Sequence, residues 1–274
     1  MTGTERIKMS GFLAGAATLA TFAAVVSAAE VQVTIENPQT AGQFFFTPVW
    51  LGAHDGNFDT YDGGALASGF PGITEIAETG DAMVLSDRFE TEQPGGAQLT
   101  AASVVGDGDA PVYSPGESNT FSLDVGDETV NRYFSYASMV VPSNDLFFAN
   151  GNPTAHELFD IAGNFQGPLT IEVFGADVND NGSEVNDAMG GAAFSVLGGD
   201  SVDESLVVRD FFGQPGDAAY LNSFVGTGTV SGDTILSTFT ENDLIARITV
   251  TPEPSTIGLL ALGIAATGRR RRTA

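Results

Sequence analysis

The eleven residues DVNDNGSEVND, Asp177 to Asp187, bring four carboxylates and three side-chain amides into one short stretch. Hard oxygen donors at this density suit calcium, which gathers about six to eight oxygens wherever a turning backbone points them inward. Asp177, Asn179 and Asn181 stand at positions 1, 3 and 5 with Gly182 at position 6, the opening half of an EF-hand loop. The second half departs from that pattern. Position 12 is Ala188 in place of a bidentate Glu, and the preceding segment PLTIEVFGA reads as a strand instead of a helix. An EF-hand is therefore excluded. A strand-to-loop calcium site stays open, as does a solvated acidic turn, because Asp and Asn favour turns by bonding their own backbone.

Other chemistries find little support. His54 and His156 are the only histidines, neither lies in a His-Glu-x-x-His pattern, and the chain has no cysteine. Zinc is accordingly disfavoured against calcium. Ser183 in GSE and Ser68 in ASG lack the surroundings of a nucleophile elbow. A glycoside hydrolase needs only two carboxyls about 5 to 10 Å apart, but carboxylates are so abundant here that their presence discriminates poorly. The reading is non-catalytic, with a carboxylate-based glycoside hydrolase as the less favoured alternative.

The elements that must hold these residues begin once both ends are set aside. Arg6 and Lys8 precede the apolar run GFLAGAATLATFAAVVSAA, whose small-residue ending suits signal-peptidase cleavage just before Glu30. Residues 1–29 are thus expected to be a secretory signal. At the other end, Pro252, Glu253 and Pro254 precede a short apolar run and then Arg269, Arg270, Arg271 and Arg272. The run is shorter than the roughly 20 residues of a stable membrane span, and the arginines would stay cytoplasmic, which describes a transient inner-membrane stop. Residues 252–274 resemble the bacterial PEP-CTERM sorting signal. That resemblance implies processing by an exosortase-type enzyme and delivery to the surface or extracellular matrix of a Gram-negative bacterium.

Between Glu30 and Val250 only Arg88, Arg132, Arg209 and Arg247 stand against 33 Asp and Glu, a formal charge of −29. Such a body repels nucleic acid and anionic lipid. Divalent counter-charge would relieve the self-repulsion locally and high salt would relieve it diffusely. Without disulfides, stability must come from the core and from any bound metal.

The mature body, residues 30–251, reads as short strands separated by Gly, Asp, Asn and Pro turns: VQVTIEN, GQFFFTPVWLGAH, DAMVLSDRF, QLTAASVVG, ESNTFSLDV, YFSYASMVV, PLTIEVFGA, AAFSVLG, ESLVVRDFF, GTVSGDTI and DLIARITV. Ile73, Ile76 and Ala77 fit one face of a short helix, and no helix longer than about ten residues is expected. This predicts an all-β fold, an antiparallel β-sandwich or barrel with short helices in its loops, and excludes a doubly wound sheet. Phe211, Phe212 and Phe224 are expected to fill core.

Four segments in this order are similar to the N-terminal domain of spondins: VTIEN (Val33 to Asn37), FTPVWLGAHDGNFDTYDGGALASG leading into ITEIAETGD (Phe46 to Asp81), YASMVVPSNDLFFAN (Tyr136 to Asn150) and GSEVND (Gly182 to Asp187), with IARITVT as a closing strand. The resemblance implies a C2-like β-sandwich of extracellular matrix and adhesion systems with a calcium ion at one end. It places Asp145, Asp180 and Glu184 as metal ligands, with Asp177 and Asp187 as second-rank candidates. Asn144 replaces the family's second proline and Leu146 its tryptophan. Residues 198–242 exceed the family's closing region and are expected to be an insert: a hairpin, a loop pair or a surface unit. The function so implied is a secreted calcium-binding adhesion or matrix domain whose partner is an extracellular polysaccharide or a matrix protein. The alternative is a structural matrix or surface-layer component without a specific ligand.

Overall fold

The computed structural model describes residues 29–108 and 110–253. The expected secretory signal and the tail beyond Glu253 lie outside these, Ala29 excepted. In chain order the strands are β1 (Glu30–Glu36), β2 (Phe45–Phe46), β3 (Val49–His54), β4 (Ala97–Ala101), β5 (Ser118–Asp124), β6 (Tyr133–Val141), β7 (Leu146–Ala149), β8 (Leu169–Phe174), β9 (Asn179–Asp180), β10 (Arg209–Asp210) and β11 (Leu244–Pro252). The α-helices are α1 (Ile73–Thr79), α2 (Met83–Glu92) and α3 (Asp217–Asn222).

Two antiparallel sheets result. The four-stranded sheet has the order β5-β1-β11-β8. Its inner face carries Val31, Val33, Ile35, Ile171, Val173, Ile248 and Val250, all buried. Its outer face is polar: Thr34 and Thr120 share a hydrogen bond at 2.8 Å, and Arg247 pairs with Glu36 at 2.8 Å and Glu172 at 3.3 Å. The period-2 pattern of a sheet with one wet face is legible in these sequences for that reason.

The second sheet has the order β10-β9-β7-β6-β3-β4, with β2 also paired to β6. Every residue of β3 and all but the first of β6 are buried. One face meets the first sheet. The other lies under α1 and α2, where Trp50, Phe58, Ile73, Ile76, Leu85 and Phe89 form a second core with Phe147 and Val208. Covering both faces explains why YFSYASMVV shows no alternation.

The expected short helix forms as α1, with Ile73, Ile76 and Ala77 as its buried residues. DAMVLSDRF, expected as a strand, is instead mostly α2. Leu85 and Phe89 are its buried residues while Met83 and Val84 face outward, so the i, i+4 spacing decides over the apolar run. AAFSVLG and GTVSGDTI form only isolated bridges, Ala193 to Ser143, Ser195 to Thr229 and Gly228 to Thr234, and ESLVVRDFF supplies only the two residues of β10 plus a bridge from Val207 to Leu66. Residues 198–242 pack into the main core through Phe211, Tyr220, Leu221, Phe224, Ile235 and Phe239, with Phe212 half-buried against it. Phe211 and Phe224 are fully buried, as core aromatics should be.

Strand pairing fixes two ends. At one, Val31 faces Pro252 and Leu123, and the Glu253 amide donates to the Glu30 carbonyl at 3.1 Å. At the other, Glu36 faces Arg247 and Leu244 faces Phe174, from which the chain runs directly to β9. Phe45 pairs with Val141 near this second end, which puts the β6–β7 turn there too. The acidic loop and that turn therefore meet at the end remote from both chain exits.

Candidate functional site

The β6–β7 turn is braced before it presents any carboxylate. The Leu146 amide donates to Ser143 Oγ at 3.2 Å, and Asn144 donates its amide to Tyr220 Oη at 2.8 Å while its Oδ1 accepts from the same hydroxyl at 2.7 Å. Asn144 Oδ1 also accepts from the Asp187 amide at 3.1 Å, and its Nδ2 donates to the Gly190 carbonyl at 3.0 Å. Asn144 thus fastens the turn, the acidic loop and α3 together.

Asp145 follows, fully buried. Its Oδ2 accepts the backbone amides of Ser183 at 2.9 Å and Glu184 at 3.0 Å and the Ser183 hydroxyl at 3.3 Å. Its Oδ1 is buried with no hydrogen-bond partner among the described residues. Burial, with the charge of Asp180 behind it, pushes the Asp145 carboxyl up to about 7. An ionised carboxylate with a bare oxygen is costly in such surroundings, so a proton or a cation is favoured there.

Asp180 sits beside it, 2 % exposed. Its Oδ1 accepts the Gly182 amide at 2.8 Å; its Oδ2 accepts from Asn186 Nδ2 and Arg209 Nη2, both at 2.6 Å. Burial raises its pKa and Arg209 opposes that rise. Arg209 also grips Asp217 with both terminal nitrogens, at 2.9 and 3.1 Å. The arrangement is a charge chain from Asp217 through Arg209 and Asp180 toward Asp145. Gly182 allows the loop to turn: its φ is +68°, and a Cβ there would come within 2.8 Å of the Leu206 carbonyl oxygen.

The remaining expected ligands are placed differently. Glu184 offers its amide to Asp145 and is half-buried. Asp177 is exposed and accepts the Phe174 amide at 2.8 Å at the start of a 3-10 turn, and Asp187, also exposed, accepts the Met189 amide at 2.9 Å. The structure therefore brings Asp145 and Asp180 together and employs the other two Asp carboxylates in local turns. Among the described residues no group of three or more His, Cys, Asp and Glu is arranged to hold a metal ion. What the site offers a cation is hard oxygen: the free Asp145 Oδ1, with the Asn186 side-chain carbonyl, also buried and unpartnered. This donor set fits calcium in kind.

Sequence reasoning missed Arg209, Asp217 and Tyr220. A signal for the first existed. In a body with four basic residues and such an acid excess, each Arg is expected to be paired, and Arg88, Arg132, Arg209 and Arg247 all are.

Residues 250–272 match the PEP-CTERM protein-sorting motif. A comparison with curated proteins finds no match for the chain. The motif supports a secreted or surface-attached protein, and motifs of this kind are processed by exosortase-type enzymes. Of the sorting residues, Pro252 closes β11 and Glu253 is exposed just beyond it; Pro254 and Arg269 to Arg272 lie outside the described residues. No helix among the described residues is long and apolar enough to cross a membrane.

Proposed function

We propose that the exported domain is a non-catalytic, spondin-like adhesion or matrix module that binds calcium at the loop end of its sandwich. The observation that carries this reading is Asp145: a fully buried carboxylate with one unpartnered oxygen next to a second buried carboxylate. Calcium would take Asp145 Oδ1 first. Asp180 would contribute by sharing its oxygen between the ion and Arg209, and Glu184 by turning its carboxylate in toward the ion. The bound ion would order the 182–187 loop, leaving the outer carboxylates to face a polysaccharide or matrix protein. The tail would anchor the chain transiently in the inner membrane of a Gram-negative bacterium until an exosortase-type enzyme releases it to the surface.

The depth of Asp145 and Asp180 argues against their use as a glycosidase pair, since a substrate must reach both carboxyls. The test is a melting comparison in calcium and in chelator, for wild type and Asp145→Asn, with a sugar-hydrolase screen on the same samples. A calcium-induced rise in Tm that disappears in the variant, without turnover, supports the reading. Equal melting curves and no heat of binding in calorimetry with millimolar calcium overturn it.

A further inference from the structure

Beside the carboxylates lies a cavity of about 230 Å³, formed where the 3-10 turn Ala67–Gly69 and the start of α1 face the segments 181–183 and 204–206. It is smaller than the roughly 300–1,000 Å³ of drug-sized ligand sites, a size for one small ring. Its wall has a particular chemistry. Ser68 and Thr74 bring hydroxyls, Glu204 a carboxylate, and Leu66 and Leu206 apolar flanks that are 49 % and 55 % exposed. Asn181 is fully buried, and its Nδ2 is already spent on Thr74 Oγ1 at 3.2 Å and Ser183 Oγ at 2.8 Å. Its Oδ1 has no donor among the described residues.

We infer that this cavity binds one neutral, hydroxyl-bearing sugar unit. Asn181 Oδ1 and Glu204 are acceptors awaiting O–H donors, which a sugar ring supplies on several carbons. Ser68 and Thr74 can accept or donate in return. The leucine flanks suit the C–H face of the same ring. No basic side chain lines the cavity, so sulfate, phosphate or uronate would meet Glu204 without compensation. Hydrogen bonds to buried acceptors also discriminate strongly, because an analogue lacking the hydroxyl leaves them unpaired. This inference rests on the adhesion reading for its partner class, and it turns that reading into a defined contact point adjoining the proposed cation site.

The experiment is a titration of the exported protein with methyl α-glucoside, methyl α-mannoside and methyl β-galactoside, followed by amide chemical shifts. Glucuronate serves as the anionic comparator. Saturable shifts centred on residues 66–74 and 181–206 are expected with at least one neutral glycoside and not with glucuronate. Ser68→Trp fills the cavity from an exposed position and should weaken binding at least about tenfold. Glu204→Gln keeps the shape and should weaken it less. Each variant is also melted with and without calcium, a readout that depends on Asp145 and not on the cavity. Loss of glycoside binding with the calcium effect intact confirms the cavity. Binding of no neutral glycoside, a preference for glucuronate, or binding indifferent to Ser68→Trp overturns the inference whatever calcium does. Glycoside binding in a protein that ignores calcium retires the cation reading alone.

Discussion

Asp145 Oδ2 accepts the Glu184 backbone amide at 3.0 Å, so a residue expected to lend its carboxylate already lends its main chain. The loop is thereby wrapped around one oxygen of Asp145 while the other stays bare. Calcium should stabilise the folded state by mass action, by about 2.7 kcal/mol at a hundredfold excess over Kd. For a domain of this size that is a rise in Tm of roughly 5–10 °C. Asp145→Asn should abolish the rise, whereas Asp177→Asn and Asp187→Asn should leave most of it, and calorimetric melting reads all three.

Arg209 holds two buried carboxylates at once. Its replacement by Met should cost about 3 kcal/mol or more, because the buried Asp180 and Asp217 would lose their common partner. Arg209→Lys keeps the charge but not the two-nitrogen grip on Asp217, and should recover only part of the loss. Chemical denaturation of the three proteins tests the ranking; equal midpoints for Met and wild type would contradict it.

Gly182→Ala places a side chain at φ +68° against the Leu206 carbonyl. A penalty of at least about 1 kcal/mol for the backbone, with the clash added, is expected. Since Gly182 and Ser183 position the amides around Asp180 and Asp145, the calcium response should shrink together with Tm. A stable variant with an undiminished response would show that the turn is not needed.

Two buried groups, His54 and Asp145, give this fold opposite pH dependences over one window. His54 is fully buried between Phe58 and Phe89, and burial lowers its pKa from 6.5 to about 4. Between those values the unfolded chain holds the proton and the folded chain does not, so stability is intact above 6.5 and is lost as pH falls toward 4. Asp145, raised from 3.8 to about 7, is protonated in the fold and ionised in the unfolded chain over that window. Its contribution declines as pH rises through 7. In chelator the two trends oppose each other between about 4 and 6.5, so Asp145→Asn should remove the decline and leave a steeper rise of stability with pH from His54. Superimposable Tm profiles for variant and wild type would dismiss the Asp145 contribution.

Only Glu253 to Thr256 separate the last residue of β11 from the apolar run beginning at Ile257. Four residues span at most about 14 Å. On the proposed transient anchoring, a run held in a membrane would keep the sandwich near it by the end that carries Glu30 and Pro252, with the carboxylate loops at the far end. Mass spectrometry of the surface fraction should find the C-terminus near the Pro252–Pro254 triplet; an intact Arg272-Thr273-Ala274 end would argue against release.

The legible parts of this fold were those with one wet face. Val31, Val33 and Ile35 alternate with polar residues because only one side of β1 is covered, and Ile73, Ile76 and Ala77 keep a helical spacing for the same reason. α2 was hidden because Met83 and Val84 are apolar and exposed beside the buried Leu85. At the site, Asp145 and Asp180 came from a resemblance in local motif, whereas Arg209 and Tyr220 reach it from a segment with no motif at all. Their links to Asp180 and Asn144 cross 29 and 76 residues of sequence.

β11 is an interior strand, hydrogen-bonded on one side to β1 and on the other to β8. The first strand, β1, therefore lacks one neighbour until the last has arrived, more than 200 residues later. Such a pairing is slow to form and cannot begin while the C-terminal segment is still being synthesised or threaded through a translocon. The sorting match starts at Val250, inside that same strand. The closing strand and the sorting match thus share residues 250–252, and a chain truncated before Leu244 would lose both the centre of this sheet and its delivery instruction.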